Sequence, residues 1–356
     1  MNRPRTPPAS PGPLAPGPTG RGDAAAHDGG ATDARPAAPA PPTDAPAAAD
    51  AGPAARPGMD RVGLALGLGC YLLWGAFPLY FRLLEPAGAV EIVAHRAAWS
   101  LGFCLLALLL TRQMRPYARA LRRPRTLATL ALAGVLVAAN WLIYVYGVNS
   151  GHTVDAALGY FINPLVTVLL AVAVLGERLR PLQWVATAVG GLAVVVIVVG
   201  YGELPWIALS LAVTFGLYGL VKNRVGRTVA ALPGLAVETT VLFPVAVAYL
   251  LWLAQSGAST FGAAGPERVS HMVLLAVSGP LTAVPLLLFG AAARRLPLSV
   301  VGMLQYITPV LQLLVGVLVF HEPMPPERWA GFALVWAAIA ILTLDGVRSR
   351  PRWARA

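Results

Sequence analysis

From residue 62 to residue 344 the chain alternates long apolar runs with short polar connections. The runs cover 62–81, 90–110, 126–146, 153–174, 182–199, 204–221, 233–253, 270–291, 298–319 and 328–344. Each is close to the roughly 20 residues an α-helix needs to cross a bilayer, so ten transmembrane helices are predicted. The stretch 155–200 then recurs 145 residues later, at 300–345, as an apolar run holding a proline, a turn at a glutamate, and a second run. Without a gap, Pro164 falls on Pro309, Glu177 on Glu322, Pro181 on Pro326 and Trp184 on Trp329. Apolar matches come cheaply in such a composition; a series of Pro, Glu, Pro and Trp does not. Gly134 falls on Gly279 in the same register, and Ala89-Val90-Glu91 falls on Ala236-Val237-Glu238 at a shift two residues larger. The chain therefore reads as two tandem five-span units, 61–201 and 202–346. Five is odd, so the second unit enters the membrane from the opposite face. Inverted repeats of this kind let two halves exchange conformations around a site between them, which is alternating access. A purely structural duplication is the plainer alternative.

Charge orients the spans. One set of connections and ends carries Arg56, Arg61, Arg112, Arg115, Arg119, Arg122, Arg123, Arg125, Arg178, Arg180, Lys222, Arg224, Arg227, Arg294, Arg295, Arg348, Arg350, Arg352 and Arg355. The other set carries Arg82, Arg268 and Arg328. Nineteen against three predicts that the basic side, with both termini, faces the cytoplasm of a cell membrane. Composition agrees: 57% hydrophobic, 12% charged and a mean hydropathy of +0.66 do not fit a soluble domain. The net charge of +11 is accounted for by this topology, and basic stripes with interleaved aromatics are lacking, so nucleic acid is not an expected partner. Residues 1–60, rich in Pro, Ala and Gly, are expected to form a disordered cytoplasmic tail, and 347–356 a short basic one. Residues 1–60 also lack the apolar core of a signal peptide.

Polar side chains inside apolar spans are costly unless they face a cavity or a partner. In the second span Glu91, His95 and Trp99 are spaced i, i+4, i+8 on one face, with Arg96 beside it. They read as a charged cavity wall, Glu91 and His95 exchanging a proton and Arg96 holding an anionic group, or alternatively as a structural ion pair. Asn140 lies deep in the third span and requires a polar contact to a neighbouring helix or a substrate, while Tyr144 and Tyr146 suit an interfacial belt, with Tyr144 also a candidate substrate contact. Tyr160, Asn163 and Pro164 of the fourth span align with Gln305, Thr308 and Pro309 of the ninth, with Tyr306 alongside. Both helices are expected to kink, because proline frees a carbonyl one turn back, and Tyr160, Asn163, Gln305 and Tyr306 are a second candidate site lining a cavity, unless the kinks serve helix packing alone. Trp74, Trp99, Tyr160 and Tyr306 are available to line an aromatic cavity. Glu238 is expected near the cytoplasmic end of its span in a solvated role, and Glu177 and Glu322 as turn or helix-start residues. Cys70 and Cys104 lie in apolar runs with no metal-ligand spacing, so neither metal nor cofactor is expected.

Several runs in order carry a family likeness: Ala94-His95-Arg96 with Trp99-Ser100, Asn140-Trp141 with Tyr144, and Leu158-Gly159-Tyr160-Phe161-Ile162-Asn163-Pro164-Leu165 followed by Glu177-Arg178-Leu179 and Gln183-Trp184. Over residues 61–346 the chain resembles the RarD group of EamA transporters. The resemblance implies the drug/metabolite transporter fold, with helices one to four and six to nine around a cavity and five and ten peripheral. It also implies secondary transport, by export or exchange, of small organic metabolites or drugs. Asp155, where a glutamate is usual, and His321, where a glycine is usual, depart from the pattern. No Walker loop is present and Lys222 is the sole lysine, so no such ATP site is available. A membrane-embedded enzyme and a non-transporting receptor or scaffold stay open as rivals, although neither paired metal-spaced carboxylates nor HExxH occurs. The expected partners are a small-molecule substrate and the lipid bilayer, with a homodimer left open.

Overall fold

A computed structural model describes residues 60–348 apart from 176–177, 227, 264, 294 and 297. The expected disordered tail, the basic residues 349–356 and Glu177 therefore lie outside the described residues. The described chain is all helical. Its elements are α1 (Arg61–Gly75), α2 (Phe77–Arg82), α3 (Ala89–Leu110), α4 (Met114–Arg122), α5 (Pro124–Asn149), α6 (Thr153–Leu175) and α7 (Pro181–Tyr201), followed by α8 (Trp206–Gly226), α9 (Ala231–Gln255), α10 (Arg268–Ala293), α11 (Leu298–Leu304), α12 (Ile307–Leu314) and α13 (Pro326–Arg348). A π-helical turn, Val315–Val319, continues α12. Eight helical segments are long and apolar enough to cross a membrane, and Trp206–Lys222 and Ile307–Val319 are shorter apolar helices. These ten correspond to the ten predicted spans. The sequence reading missed α4, whose arginines lie between the second and third spans.

Local chemistry explains the breaks. Asp60 caps α1, its Oδ1 accepting from the backbone N–H of Val62 and Gly63. The first span splits at Ala76 because Pro78 has no N–H for the Trp74 carbonyl; Gln312 Nε2 donates to that carbonyl instead, at 3.2 Å. The ninth span splits at Gln305 and Tyr306, where Pro309 withdraws the donor one turn on. In the first half α6 runs through Pro164 as one helix, whereas the ninth span is split into two. His321, at the usual glycine position, sits at φ 53°, a left-handed conformation that favours glycine.

Packing orders eight spans into a closed ring: α1, α10, α3, α9, α5, α8, α6, α12 and back to α1. Replacing each helix by its repeat partner returns the same ring, and neighbours always come from opposite halves. Helices α7 and α13 pack on each other outside it. Their faces away from that contact carry exposed Trp184, Leu192, Val195, Val199, Trp329 and Trp336, surface suited to lipid. The duplicated glycines sit at equivalent crossings. Gly134 lets α5 approach the backbone of Glu238 on α9, and Gly279 lets α10 approach that of Trp99 and Ser100 on α3.

Long-range ion pairs join segments that the span count puts on the same side. At the basic end Arg180 meets Asp345 at 3.1 Å and Arg295 meets Asp60 at 3.3 Å. At the distal end Arg328 meets Asp155 at 3.4 Å.

Candidate functional site

Where α2, α3, α5 and α10 converge, Arg96 forms a buried polar centre. This side chain is 3% exposed. Its Nε donates to Thr282 Oγ1 at 3.1 Å, and its guanidinium lies over Trp141 at 4.5 Å, Phe81 at 5.1 Å and Phe77 at 5.8 Å. Among the described residues Arg96 has no carboxylate within ion-pair distance, and its buried Nη1 has no hydrogen-bond partner. Desolvating a charge costs several kcal/mol even after relaxation, against about 2 kcal/mol for a good desolvated cation–π contact. The charge is thus only partly compensated by this cage.

The candidates from the third and fourth spans stand around it. Asn140 Nδ2 donates to the Leu211 carbonyl at 3.1 Å and to Thr214 Oγ1 at 3.0 Å, and its Oδ1 accepts from Tyr160 at 3.3 Å. The deep asparagine thus finds its contact on α8. Tyr144 is not a belt residue: it is buried against Tyr160 at 5.7 Å and Phe81 at 5.8 Å, and its hydroxyl has no partner. Tyr146, exposed beside Trp206, fits the belt reading. The Tyr80, Tyr144 and Tyr160 phenols lie within electrostatic range of Arg96. Trp74 borders the apolar cluster that holds Phe77, Phe81 and Tyr144 and packs near Tyr71 and Phe289. Trp141, Phe81 and Thr282 were missed as site residues; the Asn140-Trp141 run was the available signal.

The remaining candidates lie elsewhere. Glu91 is buried but accepts from the Thr260 backbone N–H at 2.8 Å and from Ser259 at 3.3 Å, in the loop after α9, so it does not pair with Arg96. His95 is buried against the Phe261 ring at 4.9 Å. Trp99 is 42% exposed along with Leu106 and Leu109 and takes no part in the Arg96 cage. The i, i+4, i+8 face is real, but it looks away from Arg96, which turns with Ser100 toward α10. Asn163 lies near Gly216 of α8. Gln305 is exposed, and Tyr306 packs on the cluster holding Phe161 and Phe332.

One carboxylate is corrected, and a second keeps its expected role at an unexpected helix. Glu238 is fully buried rather than solvated, held by Lys222 Nζ at 2.5 Å and Tyr218 at 3.3 Å. Glu322 does serve a helix start, but that of α6 in the other half. Its two oxygens accept from Thr153 N at 2.6 Å and Val154 N at 2.8 Å. This cap and the Asp155–Arg328 pair tie the halves together at the distal end.

Comparison with known proteins gives the family. The EamA-like transporter family matches at residues 61–199 and 205–344. A RarD protein of Streptomyces exfoliatus is 52% identical over 292 residues, covering 82% of this chain and 91% of the relative. An uncharacterized transporter of Pseudomonas aeruginosa is 45% identical, covering 82% of this chain and 96% of the relative. A crystal structure with a TM-score of 0.53 and 18% identity covers 79% of this chain and 97% of its own, a likeness of fold alone. A polytopic chain of two inverted five-helix repeats, matched by these relatives over nearly all their length, belongs to the EamA-like transporter family, in its RarD group, and is a membrane transporter of the drug/metabolite superfamily.

Proposed function

We propose that this protein is a secondary transporter that exports or exchanges small organic molecules across the cell membrane by alternating access, with its basic end in the cytoplasm. The observation that carries this reading is the ring whose neighbours alternate between the two halves. Rocking one half against the other shifts contacts around the whole circumference, and it opens one end as it closes the other. Glu322 and Asp155–Arg328 latch the halves at the distal end, and Arg180–Asp345 and Arg295–Asp60 span them at the basic end. The polar centre at Arg96 lies between, where a substrate is reached from either side in turn.

The test is substrate-dependent flux in liposomes containing only this protein, with candidates drawn from metabolite profiles of a deletion strain and its complemented partner. Accelerated exchange of a profiled metabolite supports the reading. Profiles that do not differ, together with liposomes that exchange none of the candidates, count against it.

A further inference from the structure

We infer that the Arg96 cage binds the carboxylate of a small organic monoanion whose body is apolar or aromatic. The inference rests on the transporter reading for its biological meaning, though not for its test. Two buried donors in one aromatic enclosure, Arg96 Nη1 and the Tyr144 hydroxyl, have no acceptor among the described residues. Buried donors are nearly always satisfied, so a pair left open asks for an acceptor from outside the chain. A carboxylate offers two oxygens that take charge-assisted hydrogen bonds.

Charge balance narrows the class. The cage supplies one positive charge and no carboxylate within ion-pair reach of it. A monoanion neutralises it. A phosphate dianion would leave a net negative charge in the enclosure, and an amino acid would leave its ammonium without a counter-ion, because Glu91 is engaged by the loop at Ser259 and Thr260. The rings of Trp141, Phe77 and Phe81 face the guanidinium, and those of Phe81 and Tyr160 pack beside Tyr144. They suit an aryl or alkyl body rather than a sugar.

The test uses the purified full-length protein in detergent and follows thermal unfolding by tryptophan emission. The probes are 3-phenylpropanoate, 3-phenylpropanamide, phenylalanine and phenyl phosphate, each up to millimolar concentration. The propanoate is expected to raise the unfolding temperature, and the other three are not. Arg96→Gln abolishes the shift. Tyr144→Phe, which keeps the buried ring, weakens apparent affinity about tenfold, the scale of one hydrogen bond to a charged group. If Arg96→Gln does not fold, Tyr144→Phe decides. The proposal is overturned if the propanoate fails to stabilise the wild type, if any of the other three probes stabilises it equally, or if Tyr144→Phe responds like the wild type. Binding without liposome flux would sink the transport reading and leave the anion site standing. Flux of neutral metabolites with no carboxylate binding would do the reverse.

Discussion

Replacing Glu322 by Gln should loosen the distal end of the protein. The carboxylate takes two backbone N–H groups of the first turn of α6, at 2.6 and 2.8 Å, from a residue only 7% exposed. Hydrogen bonds to charged groups contribute about 1.5–3 kcal/mol each, and a negative charge at a helix N-terminus adds about 0.3–1 kcal/mol. Glutamine keeps one acceptor and turns its amide donor toward the other N–H, so one bond is lost and the charge with it. The sum is about 3 kcal/mol, close to two powers of ten in an equilibrium. These bonds join the halves, so opening the distal end has to break them. The assay is labelling by a membrane-impermeant maleimide at Val154→Cys, a position fully buried beneath the cap, in a chain whose Cys70 and Cys104 are changed to Ala. When closure is faster than reaction, the rate follows the open population. Glu322→Gln should then label roughly a hundredfold faster, by the same equilibrium factor. Labelling at the parent rate with an unchanged unfolding temperature would refute the latch.

Other changes test separate parts of the structure. Gly279→Ala should destabilise far more than Gly134→Ala in thermal unfolding. An added Cβ at Gly279 would stand 2.3 Å from the Trp99 carbonyl carbon, whereas at Gly134 the nearest atom is 3.1 Å away. Lys222→Met should cost about 3–5 kcal/mol by stranding the buried Glu238 charge. Adding Glu238→Gln should recover most of that loss, read by detergent melting. His321→Gly should stabilise by under about 1 kcal/mol, the relief of a left-handed residue less the entropy of glycine. Hydrogen bonds from the Gly63 N–H, foremost, and from Arg295 hold Asp60 below the usual carboxylate range. A lowered folded pKa means the α1 cap is fully present above the ordinary carboxylate pKa and is lost as pH falls through the folded value. Exchange protection of the Val62 and Gly63 amides should therefore persist below the ordinary aspartate pKa; protection lost at that pKa would contradict the assignment. A topology reporter fused at Asn149 should read outside, and one at Arg122 inside; either reversal would overturn the orientation.

The spans and their duplication were legible because bilayer length and positive-inside charge are written locally. Gly134 over Gly279 was legible as part of the repeat, although the helix crossings that both glycines serve were not. The company Arg96 keeps was not legible. Spacing correctly put Glu91, His95 and Trp99 on one face, but α3 is apolar nearly all round, and periodicity alone does not say which face looks inward. Glu322 shows a different limit. It was read as a helix-start residue, yet the N–H groups it serves lie 169 and 168 positions away, and only the folded ring brings them together. His321 runs the other way: its departure from the family pattern was visible in the chain, and its left-handed backbone gives the reason.

The alternation of halves around the ring also constrains how the protein is made. Every ring neighbour of α1, α3, α5 and α6 belongs to the second half, which the ribosome has not yet translated when these helices enter the bilayer. Until then Arg96 lacks Thr282, Glu91 lacks the loop at Thr260, and the start of α6 lacks Glu322. The early helices must therefore wait in lipid with these polar groups unsatisfied, although Asn140 and Tyr160 already have each other. The late ones then intercalate between them. Assembly is a meshing of two combs rather than the docking of two finished domains.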